Sequence, residues 1–283
     1  MVRAATVTSV VGAAVKRQHL TLIGPPGSGK GTYGKLLAKA LGGTLVTCSD
    51  ILKHEIAQNT DIGQAVADCQ RRGVLADDTL VTTAVHSHLQ QLVTSKERTS
   101  ESSSSQQYSQ QQSQTRVGFI LDGFPRTVNQ AQIMSNDWEE ELQVPVAVRL
   151  HVPDDICLQK MMGRRLCRSC GGSFNIANVN GGGFVMPPTL PTITDDDPEE
   201  YCASGKCDWD ANWYTRPDDT LVICQQRIDE FHAETAPVLE YYEQYGSLLK
   251  FIPFHGVQDM HILEHMVKHN LKHEQTKSVL QTK

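Results

Sequence analysis

The chain has 283 residues, enough for one large or two modest domains with a sizeable core, and it is not a crosslinked miniprotein. Its 26 Lys and Arg against 32 Asp and Glu give a net charge of -6, and no long basic run offsets it, which argues against nucleic-acid binding by phosphate neutralisation. With 39% hydrophobic and 20% charged residues and no apolar run near the roughly 18–20 residues a bilayer span needs, a soluble globular protein is expected, without a membrane span. Eight cysteines are too sparse for a disulfide scaffold, and four of them form two close pairs, a pattern of metal binding in a reducing compartment.

In chain order, residues 1–18 form an N-terminal tail. Arg3, Lys16 and Arg17 without an acidic residue read equally as a short organellar presequence or as a disordered end, so a cytoplasmic or a mitochondrial location is expected. Leu20, Leu22 and Ile23 make a short buried strand, and residues 29–41 a helix. Residues 47–93 carry helical periodicity through Ile51, Leu52, Ile56, Ile62, Val66, Val81, Val85 and Leu89. Residues 94–115 are Ser/Gln low complexity, too poor in apolar side chains to order themselves, and are expected as a disordered insertion. Residues 117–121 and 146–152 read as further strands. From Cys167 to Tyr214 the chain turns rich in Gly, Pro, Asn and Asp, a loop-rich lobe. Helical spacing returns over 220–245, a short strand is expected over 251–254, and Ile262, Leu263, Met266, Val267 and Leu271 line a closing helix. Strands alternating with helices predict an α/β fold with a parallel sheet.

The run Gly24-Pro25-Pro26-Gly27-Ser28-Gly29-Lys30-Gly31-Thr32 stands between the first strand and the first helix. In that context glycines let backbone N–H groups turn inward around phosphate oxygens, the helix N-terminus adds its dipole, and Lys30 reaches the outer phosphates. The hydroxyl comes one residue late, at Thr32, where it or a water it holds can sit beside Mg²⁺. Asp122, at the end of the 117–121 strand, is placed for the metal's water shell, with Asp50 as a second candidate.

With Leu121-Asp122-Gly123-Phe124-Pro125-Arg126-Thr127 and Arg216-Pro217-Asp218-Asp219 following the cradle in order, the chain resembles the adenylate kinase family of nucleoside monophosphate kinases over about residues 19–270. Gly73-Val74-Leu75-Ala76-Asp77-Asp78, Val152-Pro153-Asp154 and Gly163-Arg164-Arg165 extend the likeness. The resemblance implies a P-loop core of residues 19–46, 77–163 and 217–270, a small nucleoside-monophosphate lobe of residues 47–76, a lid of residues 164–216 and a tail of residues 271–283. It implies ATP contacts at Gly27, Ser28, Gly29, Lys30, Gly31, Thr32 and Arg164. AMP contacts would come from Cys48, Lys53, Leu75, Ala76, Gly123, Arg126, Gln130, Arg216 and Arg227. Lys30, Arg126, Arg164, Arg216 and Arg227 would carry catalysis, which for phosphoryl transfer is positioning plus charge neutralisation. A monomer is expected.

Some positions depart from the family's pattern. Cys48 and Lys53 stand where the family usually has Thr and Arg, which weakens a hydrogen bond and removes a bidentate fork, and altered AMP selectivity is expected. Lys160 replaces an Arg that stacks on the donor base, leaving ATP and GTP both open as donors, and no guanine-reading N-K-x-D motif is present. Cys167 and Cys170, spaced C-x2-C, and Cys202 and Cys207, spaced C-x4-C, bracket the lid; some family members close a structural Zn²⁺ site with such pairs, and unliganded thiols are the alternative. Cys48, Cys69, Cys157 and Cys224 read as buried apolar residues, and His261, His265, His269 and His273 as a titrating surface face. A nucleotide-binding regulatory protein without turnover and a zinc-ribbon nucleic-acid binder are the competing functions, the second disfavoured by the acidic balance.

Overall fold

The computed structural model describes residues 18–72, 76–101, 117–169, 171–190 and 213–281, with side chains left undescribed over 95–101 and 272–281. The N-terminal segment to residue 17 and most of the Ser/Gln insertion lie outside the described residues.

The chain runs β1 (Gln18–Ile23), α1 (Lys30–Leu41), β2 (Thr44–Thr47), α2 (Cys48–Ala57), α3 (Asp61–Arg72), α4 (Asp78–Glu101), β3 (Val117–Asp122), α5 (Val128–Asp137), β4 (Val146–Leu150) and α6 (Asp154–Met162). There follow β5 (Arg164–Cys167), β6 (Ser173–Asn175), β7 (Val179–Gly181), β8 (Phe184–Met186), β9 (Trp213–Tyr214), α7 (Leu221–Glu230), α8 (Ala236–Gln244), β10 (Leu248–Phe251) and α9 (Met260–Gln281). Five parallel strands in the order β10-β4-β1-β3-β2 form the central sheet, as the alternation of strands and helices predicts.

Apolar runs in β1, β3 and β4 are buried on both faces because helices cover both. Successive side chains alternate: Ile23, Phe119 and Leu121 join a cluster with Val85, Leu89, Met134 and Val238 of α4, α5 and α8. Leu20, Leu22, Ile120 and Val148 join Leu37 and Leu263 of α1 and α9 on the other face. Near the start of β1 the register slips, and the His19 ring stacks on Phe119 at 3.5 Å. Its Nδ1 accepts from the Phe119 N–H, and a Cβ on Gly118 would fall 2.1 Å from the ring, so only glycine leaves room for it.

Several boundaries differ from those read in the sequence. The helix expected to end at residue 93 continues as α4 to Glu101, so the first eight residues assigned to the insertion are helical. The last strand lies at Leu248–Phe251 rather than 251–254, since Pro253 has no N–H to give a ladder. β4 ends at Leu150, two residues early. The closing helix runs through residues 271–281, which were read as a tail. Strand β2 carries no sequence signal of its own: four residues with two threonines, pairing only with β3 at the sheet edge.

The lobe after α6 holds a small antiparallel sheet, β6-β5-β9, and the separate hairpin β7–β8. That hairpin rests on the core. Val179, Phe184 and Met186 are buried with Ile156, Met161, Cys224 and Ile228 of α6 and α7. The Val185 N–H donates to Phe254 O at 2.7 Å, and the Phe184 and Phe254 rings lie 5.3 Å apart.

Candidate active site

The cradle begins where β1 ends. Gly27 (φ 87°) and Gly29 (φ 92°) adopt left-handed backbone conformations that side chains resist. A Cβ on Gly27 would come within 2.2 Å of the Cys157 carbonyl, because α6 presses directly on the loop. Ser28 is buried, and its hydroxyl has no hydrogen-bond partner among the described residues. Such an orphaned group in a phosphate loop is a donor awaiting an acceptor. Thr32 stands exposed in the first turn of α1, with its N–H bonded to the Gly29 carbonyl.

Lys30 folds back across the loop, donating from Nζ to Gly24 O at 2.7 Å and Pro25 O at 3.0 Å. Burial lowers its pKa to about 8, with the Asp122 charge opposing the shift and Arg126 and Arg227 adding to it. Burial raises the Asp122 carboxyl, while Lys30 and Arg126 pull it down. A Cβ on Gly31 would lie 3.5 Å from Asp122 Oδ2, so the strand end faces the first turn of α1. Asp122 and the Thr32 hydroxyl are hard oxygen donors at the mouth of the cradle and fit a Mg²⁺ water shell. Asp50 also acts on Asp122, but its carboxylate is engaged by Lys53 Nζ at 3.2 Å on an exposed helix turn.

Cys48 opens α2 beneath this group. It is buried, as expected, and burial pushes its thiol to about 11, with the Arg126 and Asp122 charges both acting on it. It is therefore a protonated, unreactive side chain within electrostatic reach of Arg126 and Asp122. The loop after β3 is held from below: Gly123 has φ 76°, and Thr21 Oγ1 donates to Phe124 O at 2.7 Å. Arg126 Nε donates back to Gly123 O at 3.0 Å, leaving the guanidinium exposed. Gln130 is 4% exposed. Its Oε1 accepts from the Arg126 N–H at 2.8 Å and its Nε2 donates to Asp78 Oδ1 at 2.7 Å. Ala76 packs half-buried against the core, while Leu75, with Gly73 and Val74, lies outside the described residues.

A second group of charges stands between β5 and α7, at the base of the inserted lobe. Arg164 Nε lies 3.6 Å from Asp219 Oδ2, and Arg227 Nη1 lies 3.2 Å from Asp218 Oδ2. The Asp219 side chain is fully buried with neither oxygen hydrogen-bonded, so Arg164 neutralises it through space. Burial lowers the Arg164 pKa, and Arg216 and Arg227 lower it further, which puts three cations in mutual electrostatic reach. Arg227 acts on both Lys30 and Arg164 and so links the cradle to the lid. Lys160 sits half-buried at the end of α6, and burial lowers its pKa.

The sequence reading assigned no role to Asp78, Asp218 or Asp219, although each falls in a motif it quotes; a charged residue within a turn motif reads as surface until burial is known. Of the four thiols proposed for zinc, Cys167 is buried against Phe174 and Trp213, and Cys170, Cys202 and Cys207 lie outside the described residues. No cluster of three or more His, Cys, Asp or Glu suited to a metal occurs among the described residues. None of the helices among them is long and apolar enough to cross a membrane.

A parallel sheet whose first strand feeds a glycine loop and a helix, with a carboxylate on the neighbouring strand and a lobe inserted after α6, is the architecture of a P-loop nucleotide kinase fold. A family model described as adenylate kinase matches residues 105–247, and one described as an AAA domain matches residues 23–170. The chain is 28% identical over 243 residues to a GTP:AMP phosphotransferase of Plasmodium falciparum, covering 85% of this chain and 92% of that one. It is 30% identical over 232 residues to an adenylate kinase of Caldicellulosiruptor bescii (82% and 89%), and 29% identical over 236 residues to an adenylate kinase of Solanum tuberosum (83% and 71%). The chain belongs to the adenylate kinase family.

Proposed function

We propose that the chain catalyses reversible transfer of the terminal phosphoryl group of ATP to AMP, yielding two molecules of ADP. The observation that carries this is the placement of Lys30 on the glycine cradle, bonded to Gly24 O and Pro25 O, with the charges of Asp122, Arg126 and Arg227 all acting on it. Bound with the triphosphate, Mg²⁺ supplies neutralisation of the developing phosphate charge, and Thr32, Asp122 and Asp50 would hold its water shell.

In the free protein Lys30 is parked on two loop carbonyls, and an incoming phosphate replaces them as its partners. The N–H groups of residues 27–32, together with the Ser28 hydroxyl, take phosphate oxygens. On the acceptor side, Arg126 holds the AMP phosphate, with Lys53 released from Asp50 as a second cation, while Cys48, Leu75, Ala76, Gly123 and Gln130 surround the base and ribose. Arg164, Arg216 and Arg227 close on the transferring group when the lid shuts. An open site would let water accept the phosphoryl group, so assembling these arginines only upon closure suppresses hydrolysis.

GTP is the second donor to test, since Lys160 stands at the base of the lid without the planar guanidinium that stacks on a base, and one relative is named a GTP:AMP phosphotransferase. A structural Zn²⁺ held by Cys167, Cys170, Cys202 and Cys207 is the proposed support of the lid, in a monomeric enzyme of the cytoplasm or mitochondrion. The test is a product assay with Mg²⁺, offering ATP or GTP as donor and AMP, CMP, UMP or GMP as acceptor. AMP is expected to be the best acceptor. A preparation that binds ATP yet transfers to no acceptor contradicts the proposal and leaves the regulatory reading.

A further inference from the structure

The first residue of α4 and the first turn of α5 meet in a closed hydrogen-bond network. Asp78 Oδ1 accepts from Gln130 Nε2 at 2.7 Å, and Asp78 Oδ2 accepts from Thr127 Oγ1 at 2.8 Å and from Asn129 Nδ2 at 3.1 Å. Thr127 Oγ1 in turn accepts from the Gln130 N–H at 3.1 Å, and Gln130 Oε1 accepts from the Arg126 N–H at 2.8 Å. Helix capping does not account for Asp78, because the preceding residue does that work: Asp77 Oδ1 accepts from the Thr79 N–H at 2.8 Å. These Asp78 side-chain bonds all go to the N-cap and first turn of α5, directly after the loop that carries Arg126.

The chemistry of the two partners fixes which way the Gln130 amide points. A carboxylate only accepts and a backbone N–H only donates, so Nε2 must face Asp78 and Oε1 must face Arg126. After these two bonds, one N–H on Nε2 and one lone pair on Oε1 remain. Turning the amide over would set its oxygen against a carboxylate and its NH₂ against an N–H, in a side chain nearly closed to water. Unpaired buried polar groups are the strongest source of discrimination between similar ligands.

We infer that Asp78 is a positioning residue that sets acceptor-base selectivity by locking the Gln130 amide in one orientation. The inference rests on the proposal that AMP is the acceptor and that Gln130 meets its base. Adenine and cytosine present an exocyclic amino donor beside a ring-nitrogen acceptor, whereas guanine and uracil present a carbonyl acceptor beside an N–H donor. For a base held in one pose by its phosphate on Arg126, serving the second pattern requires the amide to turn over. Asp78 and the Arg126 N–H together oppose that turn, and the carboxylate is the part of the lock that belongs to a side chain and never touches the base.

The test measures kcat and KM for AMP, CMP, GMP and UMP with wild type, Asp78→Asn, Gln130→Ala and Asn129→Ala. In Asp78→Asn the new side chain can donate as well as accept, so of the two bonds that fix the Gln130 amide only the one from the Arg126 N–H still opposes a turn. The AMP-to-GMP ratio of kcat/KM is expected to narrow by roughly tenfold, with the loss on AMP carried by KM rather than kcat. Asn129→Ala, which removes a partner of Asp78 that does not reach Gln130, leaves the ratio unchanged. If Asp78→Asn does not fold, Asp78→Ser removes the carboxylate and serves the same comparison. A ratio unchanged in a folded Asp78 variant while Gln130→Ala shifts it overturns the inference alone. A ratio unchanged in Gln130→Ala overturns the role proposed for Gln130, and the inference with it.

Discussion

Lys30 shows what a single residue gives up for the site. Its ammonium is packed against the cradle loop, and burial lowers its pKa from 10.5 to about 8. Between those values the unfolded chain binds the proton that the folded chain has lost, so the stability of the free protein is expected to rise as pH rises through that window. Affinity for a triphosphate moves the opposite way, since phosphate needs the charged form, and should fall above about pH 8. Parallel thermal unfolding and nucleotide titration from pH 7 to 10, on wild type and Lys30→Met, check both slopes; slopes that are not opposite in sign, or that persist unchanged in Lys30→Met, would contradict the assignment to Lys30. Lys30→Met should accordingly stabilise the free protein on the order of 1–3 kcal/mol while reducing turnover by 10²-fold or more. Gly27 offers the complementary case. Gly27→Ala combines a left-handed backbone with a Cβ 2.2 Å from the Cys157 carbonyl, and the expected outcome is a lower melting temperature together with lost triphosphate binding.

At the scale of elements, legibility follows burial and spacing. The strands β1, β3 and β4 were readable because both faces are covered, which makes their sequences continuous apolar runs. The cradle was readable because its glycines, Lys30 and Thr32 fall between a strand and a helix. Strand β2 was not, since an edge strand of four residues needs little apolar character and its stability comes from β3. The Asp78 network was also invisible, because it joins residues about fifty positions apart and its members each look like surface polar residues. The β7–β8 hairpin reads as loop for a third reason: Gly181-Gly182-Gly183 carries the turn signal, but each of its strands is only three residues long, too short to show a period. Its attachment is testable. Phe184 is 4% exposed within the cluster formed with α6 and α7, so Phe184→Ala should cost about 3–5 kcal/mol of stability, read by denaturant unfolding. A cost below about 1 kcal/mol would mean that the hairpin does not hold the lid root to the core.

At the scale of the whole molecule, the cations proposed to serve catalysis are distributed over separate pieces of chain. Lys30 belongs to the cradle, Arg126 to the loop after β3, Arg164 to the lid root and Arg227 to α7, with Arg227 alone acting on both Lys30 and Arg164. Each has a partner within the chain: loop carbonyls for Lys30, Gly123 O for Arg126, Asp219 for Arg164 and Asp218 for Arg227. Two nucleotides bring enough negative charge to draw them off those partners together, and that requirement ties transfer to closure. The most direct measurement is incubation of the purified protein with ADP and Mg²⁺ as sole reagents, followed by quantification of ATP, AMP and inorganic phosphate. Equal amounts of ATP and AMP with no phosphate release are predicted, because a closed site transfers between nucleotides and excludes water. Release of phosphate, or no conversion by protein that still binds the nucleotide, would contradict the account.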